Sequence, residues 1–192
     1  YEWSIINNFG TLINSGIIKT NGDINNYDLS SLNNSGIVID NGGIAPDISQ
    51  PNHHPIVLTN TGTISGTNTA SFSHFFNQGT LSPGNPIGVY TNDFYFSASV
   101  GIIELELASS SDFDKVILDY AELSGTLNVS LINGYKPTTG NTFTIITASS
   151  GIIGAFDTIN LPAGYTWNVI STTTAITLEV TSTLNTPDFD VL

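Results

Sequence analysis

The chain has 192 residues, 40% of them hydrophobic and only 10% charged, with a net charge of −13, whereas about a quarter of the residues in an ordinary globular domain are charged. It contains no Arg, and Lys19, Lys115 and Lys136 are scattered, which excludes nucleic acid as a partner because phosphate neutralisation needs clustered cations and disfavours an anionic membrane surface. Without Cys there is neither a disulfide nor a thiolate metal site, and no run of about 18 apolar residues is present to cross a membrane as a helix.

The opening "YEWSII" supplies an apolar strand but neither an initiator Met nor a basic-then-apolar leader, so it reads as the start of a processed mature chain or of an excerpt. Asn-x-Gly followed by a short apolar run then occurs at Asn8 and Asn14. It returns at Asn34, Asn60 and Asn77, at intervals of 20, 26 and 17 counted from Asn14. Self-similarity at a period of about 20 residues is the mark of a solenoid, in which no single coil buries its own apolar strand face but stacked coils share one core. Asn and Gly tolerate corner conformations that β-branched residues avoid. Asn side chains at equivalent corners can also stack into hydrogen-bonded ladders. The uneven intervals predict loops of varying length, such as "IAPDISQPNHHP" at 44–55. A meander of antiparallel hairpins is the alternative.

Good helix formers are scarce along the whole chain, while Thr, Ser, Asn, Gly, Ile and Val dominate, so the fold class expected is all-β. Residues 1–92 hold 15 Asn and the remainder only 6, which divides the chain into solenoid coils over 1–88 and a different β region over 89–184. In that second region "GIIELELA" sets Ile103, Leu105 and Leu107 on one face and Ile102, Glu104 and Glu106 on the other. "GTLNVSLING", "NTFTIIT" and "AITLEVT" alternate in the same way, as half-buried strands do. The acidic tail "NTPDFDVL", 185–192, follows a Pro boundary and reads as the start of a linker.

The segment 79–162, from "GTLSPG" through "SDFDKVIL", "GTLNVSL" and "TFTIIT", resembles the closing region of bacterial autotransporter-type passenger domains and related β-helical surface proteins. That resemblance implies a right-handed parallel β-helix over the first part, continued or closed by a C-terminal capping β-domain. The tail resembles the linker before the C-terminal sorting domain of Bacteroidota proteins exported by the type IX system. It implies a Gram-negative surface or extracellular location and passage through secretion machinery by a signal outside this chain. In that context "DTI" at 157–159 fits an Asp-Thr-apolar acceptor pattern and makes Thr158 a candidate O-glycan site.

Catalytic chemistry finds few candidates. Glu104 and Glu106 share a strand face, but a glycosidase pair needs environments that separate the two acidities, and a solvated face is the plainer reading. His53, His54 and His74 are candidate metal ligands with only Asp47 near the first two, and a surface loop is the plainer reading there as well. "SSSDFDK" is the best hard-cation candidate: Asp112 and Asp114 lie two apart among Ser oxygens, with Asp119 and Glu122 following, although the full calcium-loop motif is missing. No other cofactor is expected. Thr-rich runs at 59–71 and 171–183 suit exposed strands better than an ordered ice-binding face. The expected role is therefore structural or adhesive, a stalk, adhesin or fibre segment without catalysis, partnered by neighbouring repeats or subunits. The alternatives are a glycan-binding module using Tyr90, Tyr95, Tyr135, Tyr165 and Trp167, and then a polysaccharide-acting enzyme.

Overall fold

A computed structural model describes residues 6–8, 11–20, 23–26, 31–40, 43–46, 57–66, 69–70, 74–84 and 86–184, and every regular element among them is a β-strand. The strands come in tiers of three. The first is β1 (Ile6–Asn8), β2 (Thr11–Asn14) and β3 (Ile17–Thr20); the second is β4 (Asp23–Asn26), β5 (Ser31–Asn34) and β6 (Ile37–Asp40). The third is β7 (Gly43–Pro46), β8 (Val57–Asn60) and β9 (Thr63–Gly66), and the fourth is β10 (Thr69–Ala70), β11 (His74–Asn77) and β12 (Thr80–Pro83). Each strand of the first three tiers pairs in parallel with the strand three places on, as in β2–β5, β5–β8, β3–β6 and β6–β9. The pairing is thus that of stacked tiers, not of a hairpin meander.

Beyond residue 88 the same ranks continue with longer strands. β13 (Val89–Ser97) pairs through Thr91 and Asn92 with β10 and through Tyr95 to Ser97 with β11, so one strand spans two ranks. β15 (Lys115–Leu123) and β17 (Thr142–Gly154) repeat this, with register shifts between Asn92 and Tyr95 and between Leu118 and Tyr120 where the strand turns from one rank to the next. The third rank runs on through β14 (Ile102–Leu107), β16 (Thr126–Leu131) and β18 (Thr158–Asn160). Finally β19 (Tyr165–Ser171) and β20 (Ala175–Thr183) form an antiparallel pair, and β20 lies antiparallel on Thr142–Thr147 of β17, covering that end of the first rank. The protein is all-β and rich in parallel sheet, an arrangement compatible with a β-helix.

Strand alternation builds the core in columns. Leu32, Leu58, Phe75, Phe96 and Ala121 occupy successive register positions in one rank, and Val38, Ile64, Leu81, Ile103 and Leu127 in another; all are buried. Each large member contributes about 1.5–3 kcal/mol of burial. The small Ala121 follows two Phe rings that meet edge to face with centroids 5.1 Å apart, so bulk in one tier is relieved in the next.

The Asn-x-Gly motifs that begin at Asn14, Asn34, Asn60 and Asn77 form the corner between the second and third ranks. Asn14, Asn34, Asn60 and Asn77 are buried there, and each Nδ2 donates to the next Oδ1 at 2.8 Å across three successive steps. Each amide also donates to a backbone carbonyl one tier on: Ile37, Thr63, Thr80 and Ile102 respectively, at 3.0–3.2 Å. The column ends at Asn77, which accepts from Asn60 but donates only to the Ile102 carbonyl, because the register that pairs Phe76 with Ser97 brings Ala98 to the next position. Gly is required two residues on because tiers touch there: a Cβ on Gly62 would lie 2.0 Å from the Gly36 carbonyl oxygen, which accepts from the Thr63 N–H at 2.8 Å. The unequal spacing of the four Asn along the chain leaves this geometry unchanged.

Candidate functional site

The candidate cation pair is split by its loop. Asp112 is exposed, whereas Asp114 is fully buried and its two carboxylate oxygens accept from the backbone N–H of Gly88 at 2.7 Å and of Glu106 at 2.8 Å. The carboxylate therefore ties the loop ahead of β15 to β14 and to the residue ahead of β13. Burial pushes its pKa up to about 7, against the opposing pull of those two N–H donors. Asp119 stands elsewhere: it accepts from the Ser149 and Ser150 hydroxyls at 2.7 and 2.6 Å, which hold its carboxyl below the ordinary range. Among the described residues no group of three or more His, Asp or Glu side chains converges. His53, His54 and Asp47 lie outside the described residues.

Glu104 and Glu106 project from β14 into a shallow groove of about 230 Å³, shared with Ser82, Asn128 and Ser130. Burial first, and then the neighbouring Glu104, raise the pKa of Glu106. Thr158 is exposed on β18, the last strand of the third rank, with its N–H bonded to the Gly125 carbonyl at 3.1 Å.

The aromatic residues proposed from sequence separate into three environments. Tyr90 is buried against Phe75, and its hydroxyl has no hydrogen-bond partner among the described residues. Tyr135, Trp167 and Phe113 surround buried Phe143, Tyr165 packs on Trp167, and the Trp167 Nε1–H donates to the Pro162 carbonyl at 3.0 Å. These rings close the end of the core. Tyr95 alone of the five lies on an outward strip, formed with His74, Phe76 and Tyr120.

Residue alternation around the buried Phe75 and Phe96 builds that strip, since His74, Tyr95 and Tyr120 share one outward column by register. Ring centroids lie 5.5 Å apart for His74 and Tyr95, 6.2 Å for Phe76 and Tyr95, and 5.7 Å for Tyr95 and Tyr120, the last pair nearly parallel at 20°. The Tyr95 hydroxyl donates to Glu122, and this bond, ahead of burial, raises the phenol's pKa. Nothing in the sequence marks His74, Phe76 and Tyr120 as one surface, because the unequal steps along the chain that join them become visible only once the register is known.

These features define an all-β protein of stacked parallel strands with an outward aromatic strip. No family profile matches the chain. It is similar to an extracellular serine protease of Serratia marcescens, with 30% identity over 116 residues that cover 55% of this chain and 11% of that protein. The chain thus spans about a tenth of that relative's length.

Proposed function

We propose that this chain is a segment of right-handed parallel β-helix, closed at its C-terminal end by the β19–β20 pair, and that its work is mechanical: a stalk, adhesin or fibre segment without catalysis. Residues 1–88 are the coils and 89–184 their continuation with the cap. The observation that carries the reading is the buried Asn column, which joins successive tiers through side chains as well as backbone. A corner of that kind serves to hold tiers in register under load, and it leaves the outer faces free for partners. Similarity to part of an extracellular protein supports a secreted or cell-surface location, here assigned to a Gram-negative bacterium of the Bacteroidota, with export through a signal outside this chain. Thr158, exposed at the end of its rank, is the proposed O-glycan acceptor, and neighbouring repeats or subunits are the proposed partners.

Antibody raised against the segment should label intact cells. Removing the segment from the whole protein should reduce attachment or shorten the surface structure while export persists. Labelling only after lysis would refute the location. Hydrolysis or lysis of a polysaccharide or protein substrate by the segment alone, abolished by Glu104→Gln, would refute the mechanical role.

A further inference from the structure

We propose that the outward strip of His74, Phe76, Tyr95 and Tyr120, with Glu122 beside it, docks a guanidinium-bearing segment of a partner protein. The inference goes beyond the mechanical reading and stands apart from it, since it concerns one face whatever the segment supports.

The strip's internal packing decides what it can hold. Tyr95 and Tyr120 stack nearly parallel with ring centroids 5.7 Å apart, so the faces they turn toward each other are taken up within the pair. A sugar platform needs ring faces presented side by side, whereas these two rings are stacked on one another. One face remains: the register partner of Tyr120 on β17 is Gly151, which has no side chain to lay over the ring. A planar cation needs a single ring face, where the negative side of the π-quadrupole attracts it.

The charges around that face have one sign. Glu122 lies two residues along from Tyr120 and therefore on the same side of β15, and its carboxylate is oriented by the Tyr95 hydroxyl. Asp119, anchored by Ser149 and Ser150 immediately before Gly151, is held in its ionised form. Among the described residues no ion pair neutralises either carboxylate. Of the chain's three Lys, Lys115 sits over the Phe113 ring at 4.7 Å, so this molecule already makes the same kind of cation–ring contact internally. With a net charge of −13, the surface repels anionic partners and draws in cationic ones over a Debye length. Guanidinium suits the site better than ammonium, because its plane stacks on the ring while its forked N–H groups reach a carboxylate.

The test is titration of the chain with a tetra-arginine peptide, read by calorimetry at low salt, with tetra-lysine and a neutral β-linked hexasaccharide as comparison probes. Tetra-arginine should bind more tightly than tetra-lysine, and the hexasaccharide should not bind. Tyr120→Ala and Glu122→Gln should each weaken the arginine peptide about two- to fivefold, while Tyr120→Phe, which keeps the ring, and Glu104→Gln on another face should leave it unchanged. Tyr120→Leu retains bulk and should weaken binding as Tyr120→Ala does, so a folding defect in the Ala variant cannot mimic the result. Equal weakening by Glu104→Gln would show diffuse charge attraction and overturn the proposal. So would an unchanged affinity in both the Tyr120→Ala and Tyr120→Leu variants, or hexasaccharide binding that depends on Tyr120.

Discussion

Replacing Asn60 by Ala removes the centre of the corner column. Asn60 is fully buried, its Nδ2 donates to Asn77 Oδ1 at 2.8 Å and to the Thr80 carbonyl at 3.0 Å, and its Oδ1 accepts from Asn34 Nδ2 at 2.8 Å and from the Gly62 N–H at 3.2 Å. Each bond contributes about 0.5–1.5 kcal/mol net, and the orphaned buried partners add to the loss, so the substitution should cost about 3–5 kcal/mol. That is a large part of a typical domain's stability of about 5–15 kcal/mol. Asn60→Asp keeps the shape but replaces the two donors with acceptors facing acceptors, and it should cost at least as much at neutral pH. The control is Asn128→Ala, where a half-buried Asn accepts from Asn160 at 2.8 Å in a solvent-exposed hydrogen bond, and the expected loss is below about 1 kcal/mol. Denaturant unfolding followed by far-UV circular dichroism measures all three. Hydrogen exchange at Gly62 and Thr80 then locates the damage, since tiered proteins can unfold in sections. A loss for Asn60→Ala within about 1 kcal/mol of the Asn128→Ala control would refute the view that the column holds the tiers.

Gly62→Ala should unfold or severely destabilise the chain, because its Cβ would lie 2.0 Å from the Gly36 carbonyl oxygen, whereas Gly16→Ala should be tolerated, since among the described residues nothing lies within 4 Å of its Cβ; thermal midpoints of the two variants compare them. Stability should fall as pH rises from about 4 to about 7, because Asp114 titrates at about 7 in the fold and at about 3.9 when unfolded, so the folded state holds the proton more tightly. Its share of the slope reaches about 1.4 kcal/mol per pH unit at most, and denaturant midpoints at pH 4.5 and 7.5 should show a flatter dependence in Asp114→Asn, whatever that variant's absolute stability. Millimolar calcium should shift the thermal midpoint by less than about 1 °C, since both Asp114 oxygens are already engaged; a filled site at a hundred times its Kd would add about 2.7 kcal/mol, so a rise of several degrees, lost in Asp112→Asn, would contradict this.

The corners were legible in the sequence because their geometry restricts residue identity: Asn must bridge tiers and Gly must let them touch, so Asn14, Asn34, Asn60 and Asn77 stand out in a single chain. The inward faces were legible for the same reason, since alternation in "IIELEL" separates Ile103, Leu105 and Leu107 from the two Glu. Asp114 was not, because its partners are backbone groups 26 and 8 residues earlier in the chain, and a backbone N–H carries no sequence label. Asp112 and Asp114 lie two apart, but the loop sends the Asp114 carboxylate into the interior and leaves Asp112 exposed. The roles of the aromatics were hidden likewise. Tyr90 and Tyr95 share one strand five residues apart, an odd step that by itself turns one ring inward and the other out; what the residues do not show is the turn between Asn92 and Tyr95 from one rank to the next, which sets the column that Tyr95 joins.

The corner column also acts as a datum from which every tier is measured. Asn34 and Asn60 are 26 residues apart and Asn60 and Asn77 only 17, yet both pairs close at 2.8 Å. The difference is taken up away from the corner, chiefly in the connection from Pro46 to Val57, which is longer than the equivalent one from Asn26 to Ser31 in the tier before. Length is thus decoupled from alignment. A peptide grafted between β7 and β8 should leave the neighbouring tiers in place, which makes that connection the natural point at which such a scaffold acquires, loses or exchanges surface segments.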